Sequence, residues 1–221
     1  MTVKPARNPF SFYSLGEEIA NAITHGVGAL LAIAGTVLLI VFSALQGDPW
    51  KVVSSSIYGF SMIMLFTMSC LYHALTHPTA KKVMRVFDHT SIFLLIAGTY
   101  TPYTLVSLRG WVGWTLFGIV WGVAVLGIVL NAVSIERFKV FSMIGYIASG
   151  WCVVVAFVPL FQKLALPGIL LLIGGGVLYT AGTLFYRRKG IKAMHAIWHG
   201  FVFAGAVMHY FSILYYVILP S

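Results

Sequence analysis

Apolar residues fall into seven long runs along the chain, near 19–45, 52–75, 87–107, 111–132, 140–160, 167–186 and 193–219. A helix needs about 20 such residues to cross the hydrocarbon core of a bilayer, and each run reaches that length. Polar and turn-forming segments separate them. Gly47-Asp48-Pro49 divides the first pair, His77-Pro78 with Lys81, Lys82 and Arg85 the second, and Arg109-Gly110 the third. Glu136, Arg137 and Lys139 follow, then Gln162 to Pro167, then Arg187-Arg188-Lys189-Gly190. The pattern predicts an all-α membrane protein, a seven-transmembrane helix bundle forming one membrane domain over 1–221. Its short connections make neighbouring helices antiparallel. Two local features refine this. Ser14 and Glu17 have capping-box spacing at the head of the first helix. Pro102 falls within the third run and removes a hydrogen bond to the carbonyl of Gly98, which predicts a kink.

Composition agrees with a lipid setting. Of 221 residues, 60% are hydrophobic and 9% charged, more apolar surface than a water-soluble domain of this size buries. The excess of 14 Lys+Arg over 5 Asp+Glu sits in short clusters between the runs, where it meets lipid headgroups and orients the chain. That placement argues against nucleic acid as a partner. With the N-terminus in the cytoplasm, the inner segments hold Lys4, Arg7, Lys81, Lys82, Arg85, Arg137, Lys139, Arg187, Arg188, Lys189 and Lys192. The outer segments hold Lys51, Arg109 and Lys163. The expected orientation is therefore N-terminus cytoplasmic, C-terminus outside. Cys70 and Cys152 lie inside apolar runs without C-x-x-C spacing and read as small hydrophobes, with no disulfide framework. The first run is longer than the roughly 7–15 residues of a signal-peptide core, so no cleaved leader is expected.

Ionisable groups inside a membrane are costly, and their positions point to function. In the predicted topology, His73 ends the second helix, Asp88 lies near the start of the third, and His195 and His199 open the seventh. All four then share one depth near the cytoplasmic face. His195 and His199 are one turn apart, at i and i+4, a spacing that lets two imidazoles hold one cation. His73 would make a third ligand, the donor set of an open zinc site. Asp88 would accept a proton from an attacking water, and Ser69, one turn before His73, would hydrogen-bond a substrate carbonyl. Each residue also has a plain use. The histidine pair would suit headgroups, Asp88 a helix cap, and Ser69 a bond back to the Leu65 carbonyl. His209 lies about 15 Å deeper than His199 along its helix and serves the bundle interior or a cavity. His25 reads as packed inside or as a partner of the site, and His77 and His89 as solvated or interfacial.

The segments 17–25 (Glu17 to His25), 69–73 (Ser69 to His73), 96–102 (Ile96 to Pro102) and 195–199 (His195 to His199), with His209 beyond, resemble the bacterial hemolysin III family. That family is grouped with the PAQR proteins, which include the adiponectin receptors, and is more distantly similar to alkaline ceramidases. The resemblance covers essentially the whole chain. It implies a seven-helix bundle with an intracellular zinc site on His73, His195 and His199, with Asp88 contacting the metal through water and Ser69 in the second-helix motif. It also implies a multi-pass protein of the bacterial inner membrane. Three functions remain open on these grounds. The first is a zinc-dependent hydrolase of a lipid amide or ester, its lipid substrate entering an intramembrane cavity from the bilayer. The others are a membrane sensor with structural zinc, and a cytolysin.

Overall fold

The computed structural model describes residues 13–186 and 193–219. Helix α1 spans Leu15–Leu45 and opens on the expected capping box: Ser14 Oγ accepts from Glu17 N at 3.4 Å, and Glu17 Oε2 accepts from Ser14 N at 2.9 Å. Helix α2 spans Pro49–Ala74, with proline in its first turn and Asp48 Oδ1 capping Trp50 N at 2.9 Å. Helix α3 spans Pro78–Pro102 and passes into a π-helical turn at Tyr103–Ser107. The lost hydrogen bond at Pro102 is thus absorbed by a wider turn. The connection expected at Arg109-Gly110 turns on Gly110, whose φ of 140° suits a residue without a side chain. Helix α4 runs over Trp111–Gly150 and continues through a 3₁₀ turn, Cys152–Ala156, into a short helical tail, Phe157–Lys163. Helix α5 is Leu166–Tyr186, and α6 is Met194–Ile213, closed by a π-helical turn at Leu214–Ile218.

This architecture corrects the predicted seven-transmembrane bundle. Among the described residues, five helices are long and apolar enough to cross a membrane: Leu15–Leu45, Pro49–Ala74, Trp111–Lys163, Leu166–Tyr186 and Met194–Ile218. The runs at 111–132 and 140–160 are two helices that meet without a loop at a kink at Ser134, where the chain turns back far enough for Ser142 Oγ to reach Asn131 Oδ1 at 2.8 Å. Glu136, Arg137 and Lys139 were expected to form a loop, but 131–139 contains neither glycine nor proline, and charge alone does not stop a helix. Only Ser134 leaves helical geometry there (φ −167°, ψ 108°), and its hydroxyl accepts from Arg137 N at 3.3 Å, restarting the helix after a bend. The run at 87–107 lies in α3, which starts earlier, at Pro78, and carries Lys81, Lys82, Arg85 and Asp88. Those charges set it apart from the apolar spans. The N-terminus-in, C-terminus-out orientation rested on seven spans and falls with that count. Of its basic residues, Lys4, Arg7, Arg187, Arg188, Lys189 and Lys192 lie outside the described residues.

The bundle is apolar outside and polar within. Leu15, Ile23, Leu30, Leu45, Val133 and Val155 are exposed, whereas Asn21, Ser43, Ser54, Ser61, Thr101 and Asn131 are fully buried or nearly so. That inversion is what a lipid solvent selects. This is a multi-pass membrane protein. Helix α1 packs on α2, α2 on α3, α3 on α4, α5 on α6, and α6 on α1. Small and hydroxylic side chains set the close approaches. A Cβ on Gly98 of α3 would lie 2.1 Å from Ser61 Oγ of α2, and Ser43 meets Ser55 across α1 and α2 at 2.8 Å. Cys70 and Cys152 are both free and half-buried.

Helices α3, α4, α5 and α6 leave a cavity of ≈ 130 Å³ between them. Its walls include Ile92, Ile96, Met143, Ile147, Ile173 and Val202, with His89 and Tyr186 towards one end and Tyr103 and Leu108 towards the other. From His89 to Tyr103 the wall of α3 rises about 20 Å.

Candidate metal centre

The end of α2, the start of α3 and the start of α6 meet at one end of the bundle beside the first turns of α1. One ring nitrogen from each of His73, His195 and His199 lies within 4.8 Å of the other two. Spacing on α6 accounts for the nearest pair, with His195 Nε2 and His199 Nε2 3.1 Å apart. Two nitrogens bound tetrahedrally to zinc at about 2.0–2.1 Å stand roughly 3.3 Å apart, so these two rings already have nearly the required separation. His73 and His199 are 3% and 2% exposed, too buried for their ring atoms to rely on water. Among the described residues, His73 Nε2 and His199 Nδ1 have no hydrogen-bond partner. The orphaned His73 Nε2 is costly, and a cation held among the three rings removes that cost; His199 Nδ1 is the other nitrogen of the ring whose Nε2 faces His195, and a cation there leaves it unpaired. The donor set fits zinc.

The other nitrogen of two of these rings is held. His73 Nδ1 meets Glu18 Oε2 at 2.6 Å, and His195 Nδ1 meets Tyr13 Oη at 3.1 Å. Tyr13 also stacks on His195 with ring centroids 4.4 Å apart and so covers the site. Burial pushes the Tyr13 phenol well above its usual range, so it stays protonated. Glu18 in turn pairs with Lys81 Nζ at 2.9 Å. Lys81 was expected among loop charges, but it is 4% exposed and donates to the carbonyls of Tyr72 and Leu75 at 3.0 and 3.3 Å.

Asp88 lies on the inner side of α3, its side chain 16% exposed, with Oδ2 3.3 Å from His89 Nδ1. It does not cap α3: His77 fills that place, ten residues or more before the site's depth. Ser69 is 1% exposed, and its hydroxyl does not bond back to Leu65. The Asp88 carboxylate interacts electrostatically with both Ser69 and His73. His77 is exposed, as expected. His89 is not solvated: Nδ1 donates to Arg85 O at 2.9 Å, and the ring lines the cavity. His25 is buried and stacks on His199 with centroids 3.7 Å apart, while His209 Nε2 donates to Leu172 O at 3.0 Å and lines the cavity.

The sequence profile described as Haemolysin-III related matches residues 13–210. The chain belongs to this family. Within the wider hemolysin III/PAQR group, this haemolysin III-related protein is 45% identical to the Hemolysin-3 homolog of Bacillus subtilis (strain 168), over 93% of this chain and 97% of that relative. It is 44% identical to Hemolysin-3 of Bacillus cereus, over 93% of both chains. A human relative, Monocyte to macrophage differentiation factor, is 28% identical over 91% of this chain and 84% of its own.

Tyr13, Glu18 and Lys81 are the residues at this centre that sequence reasoning did not assign. Glu18, Asn21 and His25 do form a polar stripe on apolar α1, at i, i+3 and i+7, and that stripe is the signal for Glu18. Lys81 had no such signal, because one lysine in a basic cluster reads as solvated.

Proposed function

We propose that this haemolysin III-related protein is a zinc-dependent hydrolase that cleaves an amide or ester bond in a membrane lipid. The observation that carries this reading is the convergence of three imidazoles, two with nitrogens 3.1 Å apart, at the end of the bundle that also holds Asp88 and Ser69. Zinc, which nitrogen donors favour over magnesium or calcium, would supply Lewis-acid chemistry by acidifying a water and polarising a carbonyl. The chain's own groups handle the protons. His89 Nδ1 faces two acceptors, Arg85 O and Asp88 Oδ2, so it carries its proton and fixes the carboxylate. Asp88 then takes a proton from the attacking water through its other oxygen. The Ser69 hydroxyl donates to the substrate carbonyl as negative charge gathers there. When the carbon–nitrogen or carbon–oxygen bond breaks, Asp88 returns the proton to the departing amine or alcohol. The apolar cavity suits the acyl chain and keeps bulk water away.

Purified wild type, His199→Ala and Asp88→Asn, assayed for bound metal and for lipid products, test the reading. His199→Ala is expected to lose both metal and turnover. Asp88→Asn is expected to keep the metal while turnover falls about 10²–10⁴-fold, the usual worth of general acid–base catalysis. Normal turnover by a verified metal-free His199→Ala protein would overturn the proposal. Zinc-bound wild type inert towards every lipid would instead favour a sensor with structural zinc. Zinc-independent dye release from liposomes would favour the lysis that the name of the Bacillus cereus relative denotes.

A further inference from the structure

Glu18 and Lys81 are 8% and 4% exposed, and each would be expensive to bury alone. A buried ion pair seldom adds net stability over apolar residues of the same shape, because desolvation offsets the attraction. The position of this pair supplies another reason for it. Glu18 Oε2 is 2.6 Å from His73 Nδ1, and Glu18 Oε1 is 2.9 Å from Lys81 Nζ, so one carboxylate bridges the ammonium and the imidazole. Lys81 is anchored by the carbonyls of Tyr72 and Leu75, which flank His73 on α2 and at its end.

We propose that Glu18 is a positioning residue for the metal and Lys81 its counter-charge. The Glu18 carboxylate accepts the Nδ1 proton of His73, so the lone pair lies on Nε2, the nitrogen left without a partner. A negative acceptor also makes that imidazole a stronger donor to a cation. Lys81 holds the carboxylate on the histidine and offsets its charge, which keeps the centre from gaining a net anion. The inference rests on the metal reading above and adds a residue of α1 to a centre whose three imidazoles come from α2 and α6.

The test measures zinc affinity by chelator competition, with the visible spectrum of the cobalt-loaded protein, on wild type, Glu18→Gln and Glu18→Gln/Lys81→Met. Glutamine keeps the shape and an acceptor oxygen but removes the charge. The double variant also removes the ammonium, so a failure to fold from an unpaired lysine does not decide the outcome. Both variants are expected to bind zinc about 10–100-fold more weakly, the usual effect of losing a ligand's hydrogen-bonding partner. The cobalt bands should shift, while the melting temperature of the metal-free double variant stays near that of wild type. Wild-type zinc affinity and cobalt spectrum in the double variant would overturn this inference and leave the metal reading standing. A wild type that binds no zinc would remove both.

Discussion

Ser69 does not use the bond that satisfies most small hydroxyls of the bundle. Thr36, Ser43 and Thr99 each donate to the carbonyl four residues back, at 2.6, 2.7 and 2.7 Å, the cheapest way to satisfy a hydroxyl in lipid. Ser69 could do the same to Leu65 and does not, although it is equally buried. Its hydroxyl faces the Asp88 carboxylate instead, which keeps it at the site rather than on its own helix. Ser69→Ala is therefore expected to leave the melting temperature in detergent near that of wild type while lowering kcat by about 10²–10³-fold, as for the loss of one oxyanion donor. Bound metal should be unchanged. Thermal unfolding, metal analysis and turnover on the same preparation check all three. A fall in both stability and activity would mark Ser69 as a packing residue.

At the scale of elements, the join between α3 and α4 is the least forgiving. A Cβ on Gly113 would stand 2.1 Å from the carbonyl oxygen of Thr104 and 2.5 Å from that of Leu108, both backbone atoms of the π-helical turn region that cannot swing aside. Gly113→Ala is expected to destabilise by about 1–3 kcal/mol, a typical cost of overpacking. Gly118→Ala on the same helix meets nothing within 4 Å and should be neutral or slightly stabilising, since alanine favours the helix. Equal melting temperatures for the two variants would refute the argument. The same join shows what was readable from sequence. Apolar length announced helices, and Gly110 marked the turn before α4 correctly. Glu136, Arg137 and Lys139 misled as to the form of the break: these charges are helical, and the chain leaves the helix only at Ser134, whose hydroxyl caps the segment that follows. His195 and His199 were legible because helical spacing alone puts them on one face. The tie from Glu18 to His73 was not, because it spans 55 positions and depends on how α1 leans on α2.

The whole molecule places its polar centre at one end of the bundle and an apolar cavity beside it, with His89 belonging to both. Helices α4 and α5 are bridged at Trp151, whose Nε1 donates to Thr180 Oγ1 at 2.9 Å, and the cavity lies alongside this bridge. Gly176, one turn before Thr180, lines the space, and a Cβ there would make only ordinary contact with the Trp151 ring at 3.6 Å. The backbone thus admits a larger side chain whose bulk would project into the cavity. If the cavity holds the substrate's acyl chain, Gly176→Leu should abolish turnover of long-chain lipids while sparing short-chain analogues, with bound zinc unchanged. It should also raise the melting temperature, because it fills a void and replaces a helical glycine. Gly122→Leu adds the same bulk on the exposed side of α4, where nothing lies within 4 Å, and should leave the chain-length profile as in wild type. Turnover measured across acyl lengths for the three proteins decides the matter. A profile unmoved by Gly176→Leu would mean that the acyl chain lies elsewhere, along the lipid-facing surface of the helices, and that the cavity between α3 and α6 is not the path to Asp88.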